Sequence, residues 1–166
     1  MRDAYGGSAV LSEYNAAIVQ RVVEEIWNGG ELGLADDLFA SDYVNHYGLI
    51  SDLVHGPEAI KVSVALYRTA FPNLQITTHK MIAQAETVAL HWTARNAGRD
   101  DLAMIAPPTA HGTLMGMTFC RLIEGQIAES WTSWDTAGVL RQLGVIPPEA
   151  DLGSMAGHAP EHGMRD

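Results

Sequence analysis

Cysteine is nearly absent: Cys120 stands alone in 166 residues, so no intrachain disulfide can support the fold. A reducing, cytoplasmic setting is the expectation. Positive charge is scarce as well. Ten Lys and Arg face 20 Asp and Glu, for a net charge of −10. Such a surface repels phosphate backbones and anionic lipid headgroups, which sets nucleic acid and membranes aside as partners. No stretch approaches the ~18 apolar residues that span a bilayer. The first eleven residues lack the apolar run of a signal peptide. Several catalytic signatures are missing too: G-x-S-x-G, G-x-x-x-x-G-K, a G-x-G-x-x-G after a strand, and H-E-x-x-H. His55, His79 and His111 have no partner at ligand spacing, and His158 and His162 stand in a Gly/Pro-rich tail. A metal site is not expected.

What is present is a globular composition, 47% apolar and 18% charged, with a length suited to one domain. Residues 1–11 read as a loose arm. Ser12 is a good N-cap, and Ile18, Val19, Val22, Val23, Ile26 and Trp27 follow at helical spacing until Gly29 and Gly30. A short second helix carries Leu32, Ala35, Leu38 and Phe39. A polar, aromatic stretch, Asp42-Tyr43-Val44-Asn45-His46, comes next. Gly56-Pro57-Glu58 opens a third helix with the stripe Ile60, Val64, Tyr67 and Phe71. Beyond residue 73 the period changes to two. Strands are predicted over 74–84, 87–96, 113–123 and 126–134, with hairpin breaks at Ala85-Glu86 and Glu124-Gly125. A last short helix is expected over 136–143, and 149–166 reads as a flexible tail around a domain spanning 12–148. Helices followed by an antiparallel meander imply an α+β fold, a curved sheet wrapped over about three helices into a cone with an apolar concave face.

Trp131-Thr132-Ser133-Trp134-Asp135 is the densest constellation of chemistry. Strict alternation puts Ile127, Glu129, Trp131, Ser133 and Asp135 on one face. If that face is concave, Asp135 sits beside an indole in a pocket that raises its pKa and makes it an acid or base. Otherwise Asp135 N-caps the following helix. His46 is either a proton shuttle at the cone opening or a hydrogen-bonded loop histidine. The row Val88, Leu90, Trp92 favours Trp92 inward and His91 outward. Cys120 reads as a small core residue. Arg121 either reaches the pocket mouth or pairs with a carboxylate, Glu129 among them. Met117, with Met104 and Met115, clusters near the expected pocket.

These residues resemble the SnoaL-like polyketide cyclases, a branch of the NTF2-like superfamily. The resemblance rests on Asp42-Tyr43-Val44-Asn45-His46, Gly56-Pro57-Glu58-Ala59, Ala70-Phe71-Pro72-Asn73-Leu74 and His91-Trp92-Thr93. It continues through Ile105-Ala106-Pro107-Pro108-Thr109 and Glu124-Gly125-Gln126-Ile127-Ala128-Glu129-Ser130-Trp131. It ends on Trp134-Asp135-Thr136-Ala137-Gly138-Val139-Leu140-Arg141-Gln142-Leu143-Gly144. The resemblance implies cofactor-free intramolecular aldol chemistry. An aspartate near the end of the last strand, matched here by Asp135, abstracts a proton α to carbonyls. His46 matches a histidine at the pocket entrance. It also implies a homodimer or homotetramer formed through the outer sheet face. On this reading the ligand is a small hydrophobic carbonyl compound, contacted by Trp131, Trp92, Phe71, Trp27, Met117, Tyr43 and Arg121. Two rivals stand beside the cyclase: a non-catalytic small-molecule binder on the same cone, and a carboxylate-assisted epoxide or ester hydrolase.

Overall fold

A computed structural model of the chain describes residues 3–46, 53–96 and 114–135. Helix α1 (Asp3–Arg21) runs without a break into a π-helical stretch, Val22–Asn28. It therefore starts well before Ser12. The Ser12 hydroxyl is not a cap: it donates back to the Ser8 carbonyl at 2.7 Å and accepts the Ala85 N–H at 2.9 Å. Ile18, Val19, Val22, Val23 and Ile26 are the buried face expected from their spacing. A 3₁₀ turn (Leu32–Leu34) leads into the one-turn helix α2 (Ala35–Leu38).

The polar stretch that follows is strand β1 (Phe39–His46). Helix α3 (Pro57–Ala70) is entered through Gly56, whose φ of 68° suits glycine and whose missing Cβ makes room for the Ser41 carbonyl. Phe71 is the C-cap of α3 and is exposed, so the buried stripe ends at Tyr67. Strands β2 (Leu74–Gln84), β3 (Thr87–Asn96), β4 (Leu114–Ile123) and β5 (Gln126–Trp134) form the expected meander. The sheet order is β1-β5-β4-β3-β2, with β1 parallel to β5 and all other pairs antiparallel. The expected all-antiparallel sheet is thus mixed, because the segment before α3 pairs as a fifth strand. The last helix over 136–143 and the tail over 149–166 lie outside the described residues.

One irregularity decides what faces where. Arg121 pairs with Glu129, but Leu122, the next residue of β4, pairs with Ile127. Ala128 is an extra residue, a β-bulge, and it reverses the alternation of β5. Ile127 faces the helices. After the bulge the even-numbered Ser130, Thr132 and Trp134 face them instead. Glu129, Trp131 and Ser133 lie on the outer face.

Three helices against one face of a five-stranded curved mixed sheet make the NTF2-like cone. Helix α1 packs on β2 and β3, and α3 on β1. Ile26, Val64, Val88, Leu122, Ile127 and Tyr43 are each below 2% exposed and form the centre of the core. Burial of such side chains contributes roughly 1.5–3 kcal/mol apiece before the entropy of ordering the chain is set against it.

Candidate functional site

Between the helices and the inner sheet face lies a cavity of about 200 Å³. It exceeds the ~150 Å³ apolar space that accepts a benzene-sized guest. Its apolar wall comes from the end of α1 with its π-helical extension (Val19, Val22, Trp27), from α3 (Ile60, Tyr67) and from β3 (Leu90, Trp92). The Trp27 and Tyr67 rings meet edge to face at 5.8 Å. Trp92 lies over Gly116 on the neighbouring strand, where a Cβ would fall 2.4 Å from the indole. The glycine gives the indole its place in the wall.

The polar wall is built from β1, β4 and β5. The Tyr43 hydroxyl and Ser130 Oγ are 2.7 Å apart, and Ser130 Oγ is 3.4 Å from Asn45 Oδ1. Trp92 Nε1 donates to Thr118 Oγ1 at 3.0 Å, and Thr118 Oγ1 is 3.0 Å from Thr132 Oγ1. Burial raises the Tyr43 phenol far above its usual range, raises Tyr67 as well, and pushes the Cys120 thiol up to about 12. All three are therefore neutral at pH 7, and Cys120 is no nucleophile there. Among the described residues, the cavity lining contains no carboxylate and no imidazole. It can bind an uncharged, largely apolar compound and hydrogen-bond its polar groups.

Trp27, Tyr43 and Trp92, expected to contact ligand, line this cavity. The other expected residues are elsewhere. Trp131, Met117 and Arg121 lie on the outer face, because the alternation count through β5 missed Ala128 and because odd-numbered residues of β4 face outward. Phe71 has left the helix face. His46 also faces outward: its ring stacks on Trp131 at 4.6 Å, and Nε2 is 2.8 Å from Glu129 Oε2. Arg121 bonds the other carboxylate oxygen of Glu129, with Nε at 2.9 Å and a shorter contact from Nη2. The Arg121 guanidinium first, and then His46, hold the Glu129 carboxyl below its ordinary pKa. This is a structural ion cluster across the sheet from the cavity.

Asp135 is exposed at the end of β5, one residue beyond the cavity-lining Trp134, and its N–H donates to the Met115 carbonyl at 3.0 Å. The expected pocket around it is bounded by Trp131 or Trp92, with His46 in reach directly or through water; of these three, only Trp92 is on the cavity side. Trp131 and His46 belong to the other face, so Asp135 stands at the rim. Sequence reasoning also missed Asn45, Ser130 and Thr132 as cavity residues. The signal that could have found them is the even-numbered row Ser130, Thr132, Trp134, visible once a bulge is allowed.

No three-residue cluster of His, Cys, Asp or Glu able to hold a metal occurs among the described residues, and no described helix is long and apolar enough to cross a membrane. No curated protein sequence matches the chain. Solved structures do. IdmH from Streptomyces antibioticus, named a candidate polyketide cyclase, is 25% identical; the match covers 78% of this chain and 98% of that one, with a TM-score of 0.66. AclR from Streptomyces galilaeus, named a candidate hydroxylase, is 23% identical over 87% and 91% of the two chains, with a TM-score of 0.67. A candidate SnoaL-like polyketide cyclase from Jannaschia sp. CCS1 is 19% identical over 82% and 96%, with a TM-score of 0.65. The family model for SnoaL-like polyketide cyclase matches residues 17–143, which takes in every described strand, the cavity and Asp135. The chain belongs to the SnoaL-like polyketide cyclase family.

Proposed function

We propose that the protein is a cofactor-independent acid–base enzyme of the cyclase, isomerase or lyase type, acting on a hydrophobic carbonyl compound held in the cone. The observation that carries the reading is the cavity itself. Among the described residues, its wall of Trp27, Tyr67, Trp92 and aliphatic side chains is interrupted only by neutral hydrogen-bonding groups, and Asp135 follows directly on one of its lining residues. Protons α to carbonyls are acidic enough for one carboxylate to remove. An apolar compound filling the cavity to the rim covers Asp135 and excludes water from it. The enolate then attacks a second carbonyl, or is reprotonated elsewhere. Asn45 and Thr132 are hydrogen-bonding partners for the oxygens. In this reading Trp27, Trp92 and Tyr43 contact the ligand, and a second copy of the chain covers the outer sheet face.

Deuterium uptake from D₂O at the α-carbon of 2-tetralone, followed by NMR, tests the chemistry. The wild type should accelerate exchange. Asp135→Asn should lose ~10²–10⁴ of the rate with binding of 2-tetralone unchanged, so that the defect falls in kcat. One observation favours a second reading, a non-catalytic binder: the described lining holds no titrating acid or base near neutrality. Binding of 2-tetralone without accelerated exchange would decide for that reading.

A further inference from the structure

The hydrogen bonds of the polar wall have a direction, and it ends at the cavity. Tyr43 is 1% exposed, and its hydroxyl has one partner among the described residues, Ser130 Oγ at 2.7 Å. A buried O–H that fails to donate forfeits the hydrogen bond it would make with water, so the phenol donates to Ser130. Ser130 is itself buried, at 7% exposed. Having accepted from Tyr43, it directs its own hydrogen to Asn45 Oδ1, the remaining acceptor, at 3.4 Å. Asn45 therefore uses its carbonyl oxygen inside the protein. Its Nδ2 hydrogens have no protein partner among the described residues, and Asn45 lines the cavity. An amide can flip in isolation; here the flipped form would leave the buried Ser130 O–H without its acceptor, so the network favours this orientation.

We infer that the Asn45 side-chain amide is the specificity-determining donor of the cavity: it accepts into the site a ligand whose polar group is an uncharged carbonyl oxygen, with Tyr43 and Ser130 as positioning residues. The inference rests on the reading of the cavity as a site for hydrophobic carbonyl compounds and adds which group selects the carbonyl. A neutral N–H donor among apolar walls offers a carbonyl an acceptor's partner, gives a hydrocarbon nothing, and leaves its own hydrogens unpaired when a hydrocarbon fills the space.

Two matched probes test it by calorimetry: 2-acetylnaphthalene and its near-isostere 2-ethylnaphthalene, which lacks the oxygen. The wild type should bind the ketone about tenfold more tightly, the size of one well-made hydrogen bond. Asn45→Leu should bring the two affinities together, by loss of ketone affinity and a gain for 2-ethylnaphthalene once no unpaired N–H faces it; retained binding of 2-ethylnaphthalene also shows that the variant is folded. Ser130→Ala should reduce the ratio without changing 2-ethylnaphthalene binding, a result that a purely structural role would not give. Should Asn45→Leu not fold, Asn45→Asp keeps the shape, replaces the amide N–H groups with an oxygen, and should lower the preference for the ketone over 2-ethylnaphthalene at a pH high enough to ionise it. Equal wild-type affinity for both naphthalenes, or an unchanged ratio in Asn45→Leu, overturns the inference and leaves the cavity reading standing. Failure of the wild type to bind either probe overturns both.

Discussion

Glu129 shows how one residue ties two strands and a histidine together without touching the cavity. It accepts from Arg121 on β4 and from His46 on β1. Because its folded pKa lies below the ordinary carboxyl value, the unfolded chain takes up the proton first as pH falls. Its contribution to stability is therefore present above the unfolded pKa of ~4.3 and is lost as pH falls through the lower folded value. The Tm difference between wild type and Glu129→Gln should be largest near neutrality and shrink toward pH 3. A difference independent of pH would show that the ion cluster contributes nothing. Part of this was legible beforehand. Trp92 facing inward and His91 outward followed from alternation along one strand, Cys120 in the core followed from its residue type, and Glu129 as a partner for Arg121 was one of the alternatives the sequence left open. Trp131, Asp135 and His46 did not, since their placement depends on a bulge that no local propensity announces.

At the level of elements, the middle and the far end of α1 with its extension are held by side chains that bond the backbone of the sheet. Near the middle, Ser12 Oγ and Asn15 Nδ2 take the N–H and the carbonyl of Ala85, clamping the β2–β3 turn, where Ala85 has a φ of 49°. At the far end, Asn28 accepts from the Ile76 N–H at 2.7 Å and donates to the Ile76 carbonyl at 2.9 Å. Arg68 of α3 caps the same point by donating to the carbonyls of Trp27 and Asn28. The apolar stripe alone was enough to read a helix over 12–28. Its π-helical end and its anchoring were not readable, because they depend on contacts 40 or more residues away in sequence. Asn28→Ala leaves both Ile76 backbone groups without that partner, and urea denaturation should show a loss of about 1–3 kcal/mol. Asn28 does not line the cavity, but Trp27 beside it does. Ligand affinity should therefore fall in the same variant, and an unaffected affinity would show that the wall holds Trp27 without this anchor.

The whole molecule presents two unlike faces of one sheet, and the outer one exposes a row of apolar side chains beside its ion cluster. Ile82, Met117 and Phe119 are 60%, 64% and 44% exposed, and the row Ile82–Ala89–Phe119–Trp131–His46 runs through cross-strand partners over all five strands. Patches of this kind on soluble proteins are normally covered by a partner. Light scattering should give at least twice the 17.9 kDa of one chain, and Phe119→Lys with Met117→Lys should give the single-chain mass with the fold retained by circular dichroism. A wild-type mass of one chain would leave the outer face to another occupant. The fold class, the three helices and four of the five strands were legible in the sequence, since each rests on its own period; the parallel strand β1 was not, because only its partner β5 makes it a strand. The bulge at Ala128 carries a consequence for genealogy. Along β5, inheritance of a residue's role follows a count that one inserted or deleted position turns over. Two relatives differing there by a single gap would present the same letters to opposite sides of the sheet. Among chains that share a fifth to a quarter of their residues, roles along β5 pass faithfully from one protein to another only when the descent of that one alanine has been traced first.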